Sequence, residues 1–149
     1  MFTSSDDIGA DVDRETARAL FASGRVARLS TVRADGSPHL VPICFALDAD
    51  TLYTAVDHKP KRSRALQRLE NIAANPAVSL LVDHYEEDWS ALWWARADGR
   101  AHVAEPGDEE HARAVELLRS RYEQYRDAPA LGRAIIVEID RFSGWRAAG

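Results

Sequence analysis

An alternating strand pattern that runs directly into a cluster of cations constrains this chain more than any other feature. From Leu52 to Arg64 the sequence reads LYTAVDHKPKRSR, in which Leu52, Thr54 and Val56 fall on one face of a strand. The cationic and hydroxyl side chains that follow are Lys59, Lys61, Arg62, Ser63 and Arg64. The whole chain has a formal net charge of -5, so these groups are a local concentration and not a sign of general basicity.

This basic segment has two interpretations. Side-chain cations, a hydroxyl and free helix N-terminal amides meet where a strand gives way to a helix, which is an arrangement that binds a phosphate. A solvated basic face on a surface helix is the alternative, because exposed Lys and Arg are common. Pro60 and Ser63 favour the phosphate site, since a merely solvated helix does not need a rigid X-Pro start.

Length and composition predict one globular domain over residues 1–149. Hydrophobic residues make up 46% and charged residues 29%, which is not the composition of a disordered chain. The single cysteine, Cys44, excludes an intramolecular disulfide framework, and the Cys and His spacing does not match a structural zinc site. The N-terminus lacks the pattern of a secretion signal, and no apolar run has membrane-spanning length. We therefore expect a cytoplasmic protein without a metal site or a membrane partner.

The first half of the chain predicts one helix and three antiparallel strands. Residues Val12–Ala22 have helical apolar spacing, with Asp13 as the N-cap. Alternating patterns at Arg25–Val32, His39–Leu47 and Thr51–Val56 are separated by short Asp- and Gly-containing turns.

The middle of the chain predicts an amphipathic helix over Arg62–Asn75 and then two strands. Ala77–Asp83 is apolar enough to be a strand buried on both faces. Trp89–Val103 contains an Asp98-Gly99 step, which is either a two-residue hairpin or a glycine bulge within one long strand. We favour the bulge.

The C-terminal third predicts a helix over Glu105–Tyr125 and a strand over Arg133–Ile139. Antiparallel strands interrupted by helices indicate an α+β barrel or sandwich, with about six strands and three helices.

Pro42 lies in the middle of the predicted strand His39–Leu47, where it removes a ladder hydrogen bond. It therefore marks an edge or a bulge. Main-chain groups at Val41 and Ile43 are then free to contact a planar ligand ring, or the proline simply protects an edge strand from aggregation.

Residues that commonly carry catalysis show no active-site spacing. The five histidines do not suggest a metal site or a triad, and the serines lie in no nucleophile elbow. The basic segment lacks interleaved aromatic residues, and the net charge is acidic, so nucleic-acid binding is not expected. Trp89, Trp93 and Trp94 suit a core, a subunit interface or an aromatic ligand wall.

The order of these features from Arg25 to about Val103 resembles the pyridoxamine 5'-phosphate oxidase-like family, the flavin-binding split β-barrels. The ordered parts are a strand, a D-G-x-P hairpin, a strand with a central proline, a strand, a basic segment, a helix ending in N-P and an apolar strand. The resemblance implies an α+β split β-barrel of the FMN-binding type, with about six mainly antiparallel strands and flanking helices.

Three runs, KPKRSR, RLENIAANP and DHYEEDWSALWWARADG, are similar to the branch of that family that binds the deazaflavin coenzyme F420. The similarity implies a homodimer with two cofactor sites at the subunit interface, closed by Trp93 or Trp94 of the partner chain. The phosphate of the cofactor is then expected against Lys59, Lys61, Arg62, Ser63 and Arg64. The ring system is expected along Val41, Pro42, Ile43, Ala55, Val56 and Asp57.

The activity implied by this similarity is an F420-dependent oxidoreductase in which the reduced deazaflavin delivers hydride to a small organic acceptor. Such a cofactor carries the chemistry, so no catalytic side chain is expected. The chain ends soon after Trp145, without the C-terminal substrate-binding extension of the family's true oxidases, so vitamin B6 oxidation is not expected. The alternatives are an FMN-dependent reductase or oxidase of the same fold, a flavin- or F420-binding protein without turnover, and an interaction domain whose basic helix binds an acidic partner.

Overall fold

One eight-stranded antiparallel sheet organises the computed structural model, which describes residues 8–56, 64–127 and 131–148. The strands are β1 (Gly9–Asp11), β2 (Ala27–Val32), β3 (Pro38–Ile43), β4 (Ala46–Asp48), β5 (Thr51–Ala55), β6 (Ala77–His84), β7 (Trp93–Ala104) and β8 (Ala134–Ala147). The helices are α1 (Arg14–Ser23), α2 (Arg64–Ala74), α3 (Glu109–Arg121) and α4 (Glu123–Arg126), with a 3-10 turn at Trp89–Ala91.

The order of the strands closes the sheet into a split barrel. The order is β3-β2-β6-β7-β8-β5-β4, and β1 pairs with the far end of β8. Strands β3 and β4 are thus opposite ends of the sheet, yet only Cys44 and Phe45 separate them in the chain. The sheet must therefore curl until its two ends meet, which leaves a split between β3 on one side and β4 with β5 on the other. The expected α+β split barrel with flanking helices is confirmed.

The two longest strands, β7 and β8, form the spine of the barrel, and their pairing shifts register between Asp98 and Gly99. A Cβ atom at Gly99 would lie 2.2 Å from the carbonyl oxygen of Glu138, so only glycine allows this close approach. The prediction of one long strand through Asp98 and Gly99 is confirmed, but the extra residue of the bulge is Asp140 of β8, since Asp98 pairs with Arg141 and Gly99 with Ile139.

The core lies on the inner face of the sheet. Buried side chains alternate along β2, β6 and β7, as a strand period of two requires. Helix α1 packs on this face, where the Phe21 ring centroid lies 5.1 Å from that of Phe45 and 5.9 Å from that of Phe142. Leu69 and Ile72 of α2 belong to the same core. Helix α3 instead packs against β4, β5 and β8.

The start of α1 follows the predicted capping chemistry. The Asp13 carboxylate accepts a hydrogen bond from the Thr16 N–H at 2.8 Å, which lowers the pKa of Asp13. The predicted N-cap is confirmed, although the helix runs from Arg14 to Ser23 and not over Val12–Ala22.

The single strand predicted over His39–Leu47 is wrong, because the chain leaves the sheet at Cys44 and Phe45. Side chains bind the main-chain groups of these two residues in place of strand neighbours. The Phe45 N–H donates to the Tyr122 hydroxyl at 3.2 Å, and Arg121 donates to the Phe45 carbonyl oxygen at 2.8 Å. Thr54 donates from its hydroxyl to the Cys44 carbonyl oxygen at 2.8 Å. Cys44 is therefore a half-buried thiol in a bend and not part of a strand.

Strand β6 is not buried on both faces, as its apolar sequence predicted. Its inner residues Val78, Leu80 and Val82 are buried, but Leu81 on the outer face is 37% exposed. Within one chain, the described helices do not cover this outer face.

The other differences between the predicted and observed elements concern β1, β8 and the helix before β8. Strand β1 was not predicted, and β8 continues from Ala134 to Ala147, well beyond the predicted Ile139. The helix predicted over Glu105–Tyr125 starts at Glu109 and is interrupted at Tyr122. None of the described helices has the length and apolar character needed to span a membrane.

Candidate functional site

The split between the two ends of the sheet is the candidate site, and its first wall is β3. Strand β3 is an edge strand of the sheet: one side pairs with β2, and the other side has no strand partner among the described residues. The prediction that Pro42 marks an edge is confirmed. The side chains of Val41 and Ile43 face the core, and Pro42 is exposed on the outer face.

The opposite wall is the end of β5. The ladder between β4 and β5 begins at the pair Ala46 and Tyr53, so Thr54 and Ala55 extend beyond β4 toward the split. Val56, which is 7% exposed, lies in the same core cluster as Ile43. Ile43 and Val56, at the ends of the two segments predicted to hold a ring system, therefore border one core, and the ring site itself stays a prediction.

Main-chain bonds fix the end of β5 firmly. The Val56 N–H donates to the Arg133 carbonyl oxygen at 2.9 Å, and the Gly132 N–H donates to the Val56 carbonyl oxygen at 3.0 Å. Any additional main-chain contact with a ligand at the split therefore falls mainly to the unpaired edge of β3. Asp57, which the sequence also placed beside the ring, lies outside the described residues.

The basic segment joins the split to α2. Lys59, Lys61, Arg62 and Ser63 lie outside the described residues, and Arg64 is the first residue of α2. The segment is thus bounded by Val56 at the split and by the N-terminus of an 11-residue helix. Its sequence places three cations and a hydroxyl between these two points, and Arg64 at the start of the helix is the fourth cation.

A polar network that the sequence did not predict anchors α2 to the sheet. Asn71, which is 2% exposed, donates from Nδ2 to the Thr31 hydroxyl at 3.0 Å. Its Oδ1 accepts from Gln67 Nε2 at 2.7 Å. Asparagine inside the apolar stripe of a predicted helix was the available signal, because buried amides in proteins are almost always hydrogen-bonded.

His39 lies beside this network on the inner side of β3, opposite Thr31 in the ladder. Burial lowers the pKa of His39, and the nearby guanidinium groups of Arg33 and Arg68 lower it further. The surroundings of His39 are therefore positively charged through Arg33 and Arg68.

A second unpredicted cluster holds the bend between β3 and β4. The Tyr122 hydroxyl lies 2.8 Å from the Arg25 carbonyl oxygen and 2.9 Å from that of Phe45, and burial raises its pKa. Arg121 donates to the carbonyl oxygens of Ala22, Gly24 and Phe45, and burial lowers its pKa. These contacts fix where β3 ends relative to β5, and so they set the geometry of the split.

The three neighbouring tryptophans have different environments. Trp93 packs against the core and stacks on His84 at 6.2 Å between ring centroids. Trp94 faces the outer side of the sheet, where the Arg96 guanidinium lies 5.6 Å from its ring centroid. Trp89 is 55% exposed. Of the two candidates to reach a partner chain, only Trp94 lies on the outer sheet face.

Comparison with known families agrees with this architecture. A family model described as Pyridoxamine 5'-phosphate oxidase matches residues 14–146, which include β2 to β7, all four helices and nearly all of β8. The chain belongs to this family. No curated protein matches it.

Solved structures with the same fold extend over nearly the whole chain. An FAD-binding protein of Mesorhizobium loti is 22% identical with a TM-score of 0.71, and the match covers 92% of this chain and 96% of that one. A conserved hypothetical protein of Mycobacterium tuberculosis is 19% identical with a TM-score of 0.68, covering 97% and 86%. The FAD-binding protein of Mycobacterium smegmatis is 17% identical with a TM-score of 0.62, covering 91% and 97%. At these identities the similarity shows the split-barrel fold alone.

Proposed function

We propose that this member of the pyridoxamine 5'-phosphate oxidase family is a cytoplasmic oxidoreductase that uses the deazaflavin coenzyme F420. Reduced F420 gives hydride to a small organic acceptor. The observation that carries the proposal is the split itself, where the unpaired edge of β3 and the end of β5 border one core and the chain continues from Val56 into the basic segment.

The described residues at the split suit a planar ring. The unpaired edge of β3 offers the main-chain carbonyl oxygen of Pro42, because Val41 and Ile43 pair with β2, while Ile43 and Val56 supply an apolar floor. The phosphate of the cofactor is assigned to the segment between Val56 and α2. The side chains assigned to it are Lys59, Lys61, Arg62, Ser63 and Arg64.

Bound F420 supplies the hydride chemistry, so the protein needs to bind the cofactor, orient it and exclude water. The main chain of β3 positions the ring edge. The buried Ile43 and Val56 side chains keep water from the inner side of the ring. No side chain of the split is assigned a proton transfer.

We also propose that two copies associate, with a cofactor site at each end of their interface. The outer side of β3 is exposed, so a second copy that packs there would reach the open side of the split. Trp94 lies on this same outer face and is the tryptophan assigned to the interface.

A flavin cofactor is the second candidate, because two proteins with this fold are named as FAD-binding. FMN or FAD at the same split would make the protein a flavin-dependent reductase or oxidase. A third candidate is a protein that stores the cofactor without turnover, since the absence of an assigned catalytic group is equally expected of a storage protein.

Titration of the purified, cofactor-free protein with F420, FMN and FAD separates the first two candidates. We expect the tightest binding with F420, measured by the change in cofactor fluorescence. Tighter binding of FMN or FAD overturns the choice of F420 and leaves the site assignment in place. Binding of none of the three contradicts a cofactor site at the split.

The basic segment is tested with the double variant Lys61→Ala/Arg62→Ala. Each charge-assisted hydrogen bond to a phosphate contributes about 1.5–3 kcal/mol, so we expect F420 affinity to fall by tenfold or more. The matched control is Arg100→Ala/Arg146→Ala, which removes two positive charges from exposed positions on β7 and β8. Equal affinities of the two double variants would show that the basic segment does not hold the phosphate.

Turnover is tested by following the oxidation of reduced F420 by the loaded protein with a panel of conjugated and aromatic acceptors. Oxidation that depends on an acceptor supports the enzyme. A loaded protein that oxidises reduced F420 with none of the acceptors favours the storage function.

A further inference from the structure

The outer face of strands β3, β2, β6 and β7 is a partly apolar surface. Helices α1 and α2 pack on the inner face of these strands, and α3 packs on β4, β5 and β8, so none of the described helices lies across it. The ladder registers place Leu40 in one row with Ser30, Ser79 and Asp98. The next row contains Pro42, Arg28, Leu81, Arg96 and Ser143.

A groove of about 240 Å³ opens on this face between β6 and β7. It is lined by Leu81, Asp83, Trp94 and Arg96. The two charged residues already have partners at the rim, since Asp83 lies 3.5 Å from Arg28 and Arg96 lies 3.2 Å from Asp98. Leu81 and Trp94 therefore leave an apolar floor that suits an apolar side chain.

The same face carries an apolar side chain that projects into solvent. Leu40 is 65% exposed, the highest value among the exposed large hydrophobic side chains of the described residues. It lies on β3, between Pro38 and Pro42, which are exposed on the same face. Proline disfavours pairing of another strand along the edge, so a partner is directed to the face and not to the edge of β3.

Charge on the outer face is compatible with a copy of itself. Arg28, Arg96 and Arg141 are accompanied by Asp83 and Asp98, and two of the arginines are already in ion pairs. The face therefore has no strong single-sign field that would repel an identical face. The apolar sequence of β6, typical of a strand covered on both sides, also fits a face that is covered in the assembly.

We propose that a second copy of this chain packs against this outer face, with Leu40 of each copy inserted into the Leu81–Trp94 groove of the other. A two-fold axis that lies between Leu40 and the groove makes both contacts at once, as a symmetric dimer requires. The proposal rests on the homodimer of the proposed function and not on the identity of its cofactor.

Cysteine cross-linking tests this contact directly. The variant Leu40→Cys/Leu81→Cys is made with Cys44→Ser, so that the two new cysteines are the only thiols. Strand β2 separates β3 from β6, which sets the two cysteines about 10 Å or more apart within one chain, beyond the ~7 Å limit for a disulfide. A disulfide between them must therefore join two copies.

We expect covalent dimers from the double variant after mild oxidation, and from an equimolar mixture of the two single-cysteine proteins. Each single-cysteine protein alone is expected to give few covalent dimers. The reason is that Leu40 contacts Leu81 of the other copy and not the other copy's Leu40. A dimeric protein that gives no cross-link in either experiment overturns this interface.

Charge substitution provides the second measurement. Leu40→Asp is expected to raise the dimer dissociation constant by roughly a hundredfold or more, since two buried leucines are replaced in each dimer. Ile8→Asp is the matched control, because Ile8 is 43% exposed but precedes β1, outside this face. Sedimentation velocity measures both variants, and circular dichroism checks that they fold.

The outcomes separate this proposal from the proposed function. Unchanged dimerisation of Leu40→Asp overturns the Leu40 contact and leaves the dimer in place. A wild-type chain that is monomeric at micromolar concentration overturns both the dimer and this face. F420 affinity, measured separately on the wild type, tests the cofactor assignment whichever result is found.

Discussion

Asn71 is a buried polar side chain whose hydrogen bonds connect α2 to the sheet. Asn71→Ala leaves the Thr31 hydroxyl, which is 1% exposed, without the amide that lies 3.0 Å from it. We expect the free energy of unfolding to fall by about 1–3 kcal/mol, the usual cost of a buried polar group that loses its partner. Urea denaturation measures the change, with Glu70→Ala on the exposed side of α2 as control. Equal stability of the two variants would mean that the network contributes nothing.

His39 gives the barrel a specific pH dependence. Its pKa in the folded chain lies below the ordinary value of 6.5, chiefly because of burial, and further because of Arg33 and Arg68. As the pH falls below about 6.5, the unfolded chain binds a proton at His39 before the folded chain does. The free energy of unfolding therefore decreases with falling pH, and this contribution levels off below the folded-state pKa.

The variant His39→Gln isolates this effect. We expect the difference in unfolding free energy between wild type and variant to be constant above neutral pH. As the pH falls from ~7 to ~5, the wild type should lose stability relative to the variant. Urea denaturation at a series of pH values measures it. A difference that stays flat across this range would show that the folded and unfolded pKa values of His39 are equal.

Individual residues were predictable from sequence only where their role is local. Asp13 caps a helix, and this role depends on neighbouring residues in the chain. The extra residue of the bulge beside Gly99 is Asp140 of β8, which the sequence pattern of β7 does not identify. The roles of Asn71 and Arg121 depend on which distant element faces them. The Thr31 hydroxyl is 40 residues from Asn71 in sequence, and spacing within α2 cannot identify it.

The bulge at Asp140 of β8, beside Gly99 of β7, determines how the two longest strands fit together. Gly99→Ala would place a methyl group 2.2 Å from the Glu138 carbonyl oxygen, so β7 and β8 must separate locally or the bulge must move. We expect a loss of about 1–3 kcal/mol in unfolding free energy, as for other overpacked sites. Gly36→Ala is a contrasting variant, because no atom lies within 4 Å of its added Cβ and only its positive φ of 88° opposes the change.

Thermal unfolding of the two glycine variants gives the comparison. The Gly99 variant should also lose amide protection on both sides of the bulge, because crowding acts on the ladder between β7 and β8. For Gly36→Ala we expect the loss of amide protection to be confined to the β2–β3 hairpin. Full protection of β7 and β8 in Gly99→Ala would contradict the requirement for glycine.

Strand existence was predicted better than strand limits. Alternation identified β2 and β5, because the buried inner face imposes a period of two, and an apolar run identified β6. The break between β3 and β4 was missed because side chains of α3 and β5 bind the main chain at Cys44 and Phe45. Such tertiary hydrogen bonds leave no periodic signal in the segment that they interrupt.

For the whole molecule, the order of parts predicted the split barrel, and the family match agrees with it. A cofactor ring along Val41–Ile43 and Ala55–Asp57 stays a prediction, which is based on a sheet whose terminal strands are consecutive in the chain. The phosphate assignment to Lys59, Lys61, Arg62, Ser63 and Arg64 stays a prediction. The side-chain contacts that hold the barrel together, such as those of Arg121, could not be predicted from the sequence, because they join residues up to 99 positions apart.

Arg121 is the side chain through which these distant parts are held together. Its guanidinium donates to Phe45 at the bend after β3 and to Ala22 and Gly24 at the end of α1, and it lies 4.6 Å from the centroid of the Phe45 ring. Arg121→Ala would leave three carbonyl oxygens from two separate elements without this donor. We expect a loss of about 2–4 kcal/mol in unfolding free energy, because hydrogen bonds to a charged group are strong and its partners are partly buried.

The same substitution links stability to the site, since the bend that Arg121 holds sets the position of β3 beside β5. Arg121→Ala should therefore weaken F420 binding at temperatures where the variant is still folded, while Arg126→Ala should not. Arg126 also donates to carbonyl oxygens, but only to those of Arg119 and Ser120 in the adjacent helix. Cofactor titration and urea denaturation of both variants give the test. A destabilised Arg121→Ala that binds F420 as tightly as the wild type would show that the split does not depend on this bend.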